Sequence, residues 1–263
     1  SATVVNDLVA TAGSLRKDCV VVASPSQNAV LTVGTNVGVL ACNNAYTKSS
    51  YLVQDNNFLK VFDKYNDQYI KIPAASSTAG LMAATDLVAA PWFSPAGTTR
   101  GAILNGSRLA YNPTQIQRDR LYSARINPVI FSNDVGGIAL FGDKTGLANS
   151  SSFDRINVRR LFIYIEEAIS AAANDQLFEF NDEVTRTNFV NIVEPFLRDV
   201  KSKRGITDFL VVCDETNNTP AVVDRNEFVA DIFVKPTRSI NFIGLTFVAT
   251  RTGVSFEEVV GTV

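Results

Sequence analysis

From Ser239 to Gly253 the chain reads Ser-Ile-Asn-Phe-Ile-Gly-Leu-Thr-Phe-Val-Ala-Thr-Arg-Thr-Gly. Ile243, Leu245, Phe247 and Ala249 alternate with Gly244, Thr246, Val248 and Thr250, which is the period of a β-strand. Ten residues follow Gly253. An apolar strand so close to a chain end constrains the fold, because its backbone N–H and C=O groups need a ladder. It closes its own sheet or it reaches into a neighbour's sheet. The second outcome would make this an assembly protein rather than an enzyme.

The rest of the composition leans the same way. Among 263 residues there is no histidine. That removes the commonest general base, the commonest metal ligand and every Ser-His or Cys-His pair. With 24 basic and 26 acidic side chains the chain is nearly neutral, which argues against bulk nucleic-acid binding. It is 46% hydrophobic, enough for a sizeable core in one large domain or two ordinary ones. No apolar run reaches the ~20 residues of a membrane span. No secretory signal is visible, and Ser1 in first place leaves the natural N-terminus open. Cys19, Cys42 and Cys213 are odd in number and far apart, which suits a reducing compartment rather than a disulfide framework.

Along the chain, helix-like and strand-like segments alternate without repeats. Val4 to Leu15 reads as a helix and Asp18 to Ala23 as a short strand. Asn57 to Ile72 reads as a hairpin turning at Asn66-Asp67, and Thr78 to Ala90 as a helix. Pro91 to Gly97 breaks the pattern. Asn112-Pro113 looks like a helix cap followed by proline at the first helical position. Gly137 to Phe141 reads as a buried strand, followed by a polar loop over residues 142 to 152. From Asp154, Val158, Leu161, Phe162, Ile165 and Ile169 form one apolar stripe, with Arg155, Arg159 and Glu166 as a polar stripe beside it. Ile163 and Tyr164 face away from that stripe, either as tolerated surface residues or as a contact to another subunit. A second helix carries Phe189, Ile192, Val193, Phe196, Leu197 and Val200, has Pro195 inside it and stops at Gly205. Strands follow at Asp208 to Cys213, Phe228 to Val234 and Ile240 to Thr250. The expected class is α/β in the broad sense (α+β): mixed β-sheets flanked by helices in two lobes, with an extended C-terminal strand arm.

Chemical sites are scarce. Gly137 to Thr145 nearly imitates a phosphate-binding loop, but Asp143 stands where lysine belongs and would repel phosphate. Asp214 and Glu215 point to opposite faces of an extended strand end, a poor acid–base pair better suited to turn hydrogen bonds with Thr216 and Asn217. Asp63 to Asp67 lacks the spacing and glycine of a calcium loop and reads as a turn. Arg198, Lys201, Lys203 and Arg204 crowd a helix C-terminus. Cations are favoured there by ~0.3–1 kcal/mol each, and the same four could dock an acidic partner.

An ordered set of segments carries a resemblance. They are Trp92-Phe-Ser-Pro-Ala-Gly97 with Arg100-Gly101, Gln117-Arg-Asp-Arg-Leu-Tyr122, Ile126-Asn-Pro-Val129, Gly142-Asp-Lys-Thr145 and Phe153-Asp-Arg-Ile-Asn-Val-Arg-Arg-Leu-Phe162. They continue with Val211-Val-Cys-Asp214, Thr216-Asn-Asn-Thr-Pro220, Asp224-Arg-Asn-Glu-Phe-Val-Ala230, Arg238-Ser-Ile-Asn241 and Phe247-Val-Ala-Thr250. Through these the chain resembles the C-terminal portion of the contractile tail sheath proteins of T4-like bacteriophages. The match is weakest between Val30 and Leu52.

The resemblance implies a virion structural subunit and no enzyme. It implies a six-fold helical homo-oligomer around a tail tube protein, with baseplate and tail terminator as further partners. It implies no cofactor, no nucleic acid and no direct membrane insertion. The setting would be the virion tail, after assembly in the bacterial host cytoplasm. Contraction would be a change between two packings of one subunit that drives the tube through the host envelope. Residues 1–112 would be the end of a middle domain and residues 113–263 the inner domain. The arm at 239–253, with Ile240, Phe242, Ile243, Leu245, Phe247 and Ala249, would add a strand to a neighbour's sheet. Lys235 to Ser239 would be its hinge, Arg198, Lys201, Lys203 and Arg204 the tube contact, and Ile163 and Tyr164 a subunit contact. A related contractile injection system or tail-like bacteriocin is the alternative. An α/β enzyme is a distant third, because no convergent polar site is found.

Overall fold

The computed structural model describes residues 1–31, 36–133 and 136–240. The strand arm beyond Ile240, with Phe242, Ile243, Leu245, Phe247 and Ala249, therefore lies outside the described residues. In chain order the elements are α1 (Ala2–Ala10), a π-helical turn (Thr11–Arg16), β1 (Val21–Ala23), α2 (Gln27–Leu31), α3 (Asn36–Ala45), β2 (Leu52–Gln54), β3 (Phe58–Asp63), β4 (Gln68–Pro73) and α4 (Ala75–Val88). There follow β5 (Ala102–Ile103), β6 (Arg108–Leu109), α5 (Gln115–Ser123), β7 (Val129–Ser132), β8 (Gly137–Leu140), a 3-10 turn (Ser152–Asp154), α6 (Ile156–Asn174), α7 (Glu183–Ser202), β9 (Ile206–Val212), α8 (Pro220–Val223) and β10 (Asp231–Pro236).

The class is α+β, with several small sheets rather than one. β1 and β2 pair in parallel. β4-β3-β6 and β5-β8-β7 are antiparallel trios, and β9 and β10 form an antiparallel ribbon. The hairpin expected from Asn57 to Ile72 is β3–β4, and Asp67 takes φ 49° in its turn. Asp63 is a turn residue as read: its carboxylate accepts hydrogen bonds from the Tyr65 amide and the Asn66 side chain. The cap of α5 is not Asn112. Thr114 and Gln117 form a reciprocal capping box, while the Asn112 side-chain oxygen Oδ1 accepts the Phe131 amide at 3.0 Å. Thr114→Ala should therefore cost about 1 kcal/mol, measured as a shift in the urea midpoint at constant slope.

Two apolar clusters draw on both sides of residue 112. One joins Leu59, Leu81 and Ile103 to Val129, Ile138 and Leu140. The other joins Val30, Val39 and Phe58 to Leu121 and Ile126. Beside them runs a buried polar stretch, Gln54-Asp55-Asn56-Asn57. The Asn56 side-chain oxygen Oδ1 accepts the Val129 amide at 2.7 Å, and the Asn57 side-chain Nδ2 donates to the Tyr111 carbonyl at 2.7 Å. Asp55 accepts the Ser24 hydroxyl at 2.7 Å. Burial nevertheless pushes its carboxyl up from 3.8 to about 7, outweighing the hydrogen bonds from Ser24 and Asn57. The sign follows. Between about pH 4 and pH 7 the folded chain holds a proton that the unfolded chain has lost, so stability falls as pH rises through this window and levels off above it. Asp55→Asn should flatten that slope in denaturant titrations at several pH values.

The third large cluster sits at the C-terminal end. Leu161 and Ile165 of α6 and Phe189, Val193, Leu197 and Val200 of α7 pack with Trp92, Ile206 and Cys213. Phe209, Val211, Ile232 and Val234 lay one face of the β9–β10 ribbon on it. α7 runs through Pro195 and begins at Asp182, whose side chain accepts the Thr185 amide at 2.8 Å. Ile192, expected in the core stripe, is 48% exposed. Helix termination also differs from expectation. Arg204 takes the positive φ of 68°, and the Gly205 amide closes onto the Val200 carbonyl at 2.9 Å. Gly205 is needed for space instead, because a Cβ there would lie 2.8 Å from Val200 Cγ1 and 3.0 Å from the Trp92 ring.

Candidate assembly interface

The β9–β10 ribbon packs one face on α6 and α7 and turns the other outward. Its register pairs Phe233 with Leu210, Val234 with Phe209 and Ile232 with Val211. Alternation puts Phe209, Val211, Ile232 and Val234 on the helices and turns Leu210 and Phe233 outward. Those two are 57% and 59% exposed and sit directly opposite each other. Among the described residues the ribbon has two strands only, so both outer edges keep unpaired backbone groups.

The chain leaves this ribbon through a set of fixed contacts. The Thr237 amide donates to the Gly205 carbonyl at 3.1 Å. The Asn157 side chain donates to the Thr237 carbonyl at 3.3 Å. Arg238 donates to the Ser152 hydroxyl at 3.2 Å, and the Ser239 hydroxyl donates to the Asp143 carboxylate. The stretch from Lys235 to Ser239, expected to be a hinge, is therefore partly strand and partly pinned. Ile240, the next residue of the arm, is 82% exposed.

Asp143 is the centre of a polar cluster. It is 3% exposed and also accepts from Arg155 Nη1 at 3.2 Å and from the Tyr122 hydroxyl at 3.4 Å. Burial, reinforced by the Asp143 charge, pushes the Tyr122 phenol up to about 12. The amine of Lys144 lies 3.9 Å from the Tyr122 ring centre and donates to its carbonyl, and burial lowers its pKa. The loop between residues 142 and 145 is thus a structural post. Asp143 looked in the sequence like a defect in a phosphate loop; its pairing with Arg155, Tyr122 and Ser239 joins positions too distant for spacing to reveal.

The basic helix end is less basic than its sequence. Arg198 pairs with Glu194 at 2.6 Å, Lys203 with Asp199 at 2.6 Å and Lys201 with Asp208 at 3.1 Å. Hydrogen bonding to Asp199 raises the Lys203 pKa, and that to Lys201 lowers the Asp208 pKa. All these pairs are exposed, so each adds little to stability. Arg204 alone of the four has no carboxylate partner among the described residues.

The stripe pattern of α6 needs correction at two places. Arg159 is not part of an exposed polar stripe: it is 7% exposed, donates to the Ser50 hydroxyl at 2.7 Å and stacks over Phe153 and Tyr51. Burial lowers its pKa. Tyr164 does not simply face away; its ring packs against Trp92 and Phe196 with centroids 5.6 and 5.9 Å apart, leaving it 39% exposed. Ile163 is half-buried. The hydrophobic pattern of one helix cannot show that a distant loop, at residues 50–51 or 92, covers a flank. Asp214 behaves as read, accepting the Thr216 amide at 2.8 Å. No cluster of three or more potential metal ligands occurs among the described residues, and none of their helices is long and apolar enough to cross a membrane.

Residues 148–250 match the family described as the phage tail sheath C-terminal domain. The chain carries this tail sheath domain. The match takes in α6, α7, the β9–β10 ribbon and the exit at Thr237 to Ser239. Across 99% of its length the chain is 45% identical to the tail sheath protein of Vibrio phage KVP40 and 43% identical to that of Enterobacteria phage T4. The resemblance to the C-terminal portion of T4-like tail sheath proteins therefore extends beyond the matched domain. The chain spans 41% of the length of each of these two relatives. Its fold is shared with a chain of the anti-feeding prophage helical sheath in the contracted state, at TM-score 0.75 and 20% identity, covering 92% of this chain and 65% of that one. An extracellular contractile injection system sheath complex in the contracted state gives TM-score 0.74 at 22% identity, covering 87% and 63%.

Proposed function

We propose that this chain is the inner, interlocking part of a contractile tail sheath subunit that acts by assembly and not by catalysis. Subunits polymerise helically around the tail tube, and contraction of the lattice drives the tube through the host envelope. The observation that carries this reading is the β9–β10 ribbon, packed on one face and open at both edges among the described residues. Residues 239–253 of one copy add to such an edge on another, so the subunits stay linked while other contacts rearrange. Residues 1–112 correspond to the end of a middle domain and residues 113–263 to the inner domain. Partners are further copies of the chain, the tail tube protein, the baseplate and the tail terminator. The particle is the virion tail, put together in the host cytoplasm.

The same fold in contractile injection systems supports a second reading within the same class. The higher identity to phage sheath proteins favours the phage. Truncating the full-length protein after Ile240 should abolish rings and helices in electron micrographs while leaving the thermal unfolding midpoint in place. Normal assembly of the truncated protein would contradict strand linkage.

Arg198, Lys201, Lys203 and Arg204 form the proposed tube contact, and Ile163 with Tyr164 a subunit contact. Reversing Arg198, Lys201 and Lys203 to glutamate sets each beside the acid that now pairs it. Co-sedimentation with tubes should fall several-fold, and unchanged co-sedimentation would remove this face from the tube.

A further inference from the structure

The residues leading into the arm are held more firmly than linkage requires. Ser239 is half-buried and its hydroxyl donates to Asp143. Asp143 is itself immobilised: its carbonyl accepts the Ile156 amide at 2.8 Å, and its carboxylate takes Arg155 and Tyr122. The next residue is gripped by Asn127, whose side chain accepts the Lys144 amide at 2.7 Å and donates to the Lys144 carbonyl at 2.8 Å. A Cβ on Gly142 would sit 2.9 Å from Asn127 Oδ1, so the loop has closed tightly on that side chain. The Asn127 side chain also donates to the Gln54 carbonyl of β2 at 3.0 Å, so the post connects the arm exit to β2, α5 and the start of α6 at once.

We infer that Asp143 is a positioning residue for the arm. By holding the Ser239 hydroxyl it fixes the direction in which the chain departs, and it moves the pivot of the arm beyond Ser239. The exit then travels with the domain as a rigid unit, so a neighbour is met at a set height on the ribbon edge. This rests on the strand-linkage reading above. A hydroxyl suits the task because it donates to a carboxylate already carrying two other donors.

The test uses the full-length protein with Ser239→Ala, Ser239→Thr and the truncation after Ile240. Ser239→Ala should leave the unfolding midpoint within roughly 2–4 °C of the parent. Amide exchange at residues 237–240 should speed up about tenfold as the exit loosens, with exchange in β9 unchanged. Sheath assembly should slow, and Ser239→Thr should restore both properties. Unchanged exchange at 237–240, or faster exchange with unaltered assembly, would overturn the positioning role. If the truncated protein assembles normally, the linkage reading falls and the inference falls with it. If truncation abolishes assembly while Ser239→Ala assembles normally, only the positioning role is lost.

Discussion

Phe189→Ala is expected to lower the unfolding free energy by about 3–5 kcal/mol. Phe189 is 2% exposed in the N-terminal half of α7, and its ring meets Phe228 edge-on with centroids 5.4 Å apart. It occupies the cluster on which the ribbon lies, between Leu161 and Ile165 of α6 and the inner faces of β9 and β10. Removing the ring deletes a large apolar area and leaves a cavity that two packed helices and a short ribbon cannot close. Urea unfolding would show the loss as a lower midpoint. Because this cluster holds the ribbon, the variant should also lose assembly at temperatures where the rest of the fold survives. A loss below about 1 kcal/mol would mean that the ribbon does not depend on α7.

Gly101→Ala should be nearly as damaging, by about 3 kcal/mol, the upper range for overpacking. A Cβ at position 101 would lie 2.5 Å from the Gly97 carbonyl oxygen, 2.6 Å from the Leu140 carbonyl oxygen and 2.8 Å from the Gly97 nitrogen. All three are backbone atoms tied by hydrogen bonds: Gly101 N to Gly97 O at 2.9 Å, Gly97 N to Leu140 O at 3.0 Å and Leu140 N to Gly101 O at 2.8 Å. No side chain can swing away to make room, so the junction between the 97–101 turn and β8 must open. Gly80 supplies the control. It is exposed within α4, and a Cβ there meets nothing within 4 Å. Gly80→Ala should stabilise by about 0.5–1 kcal/mol through helix propensity alone. The two substitutions are chemically identical, and opposite shifts in thermal midpoint would tie the effect to geometry.

Local patterns carried much of the fold. The hairpin at Asn57 to Ile72, turning at Asn66-Asp67, and the helical stripes of α6 and α7 were legible because each is set by neighbours within a few residues. Turn chemistry at Asp63 and Asp214 was legible for the same reason. What escaped was contact between distant segments. Arg159 has the spacing of a surface arginine, yet Ser50, Tyr51 and Phe153 bury it. Lysines and arginines at a helix end read as one basic patch until Asp208, brought in by β9, pairs with Lys201. Asn112 had the form of a cap, but Thr114 and Gln117 satisfy the α5 start and Asn112 serves β7. At the candidate interface the ribbon strands were legible, whereas their open edges and the Asp143 post depend on which segments meet.

Where residues 239–253 pair decides whether strand addition links the subunits. A cryo-EM map of the assembled full-length protein would show it directly. The expected result is that these residues in one subunit form backbone hydrogen bonds with the free edge of β9 or β10 in another copy, leaving the exit at Ser239 beside Asp143. Pairing of residues 239–253 only within their own chain would contradict the account.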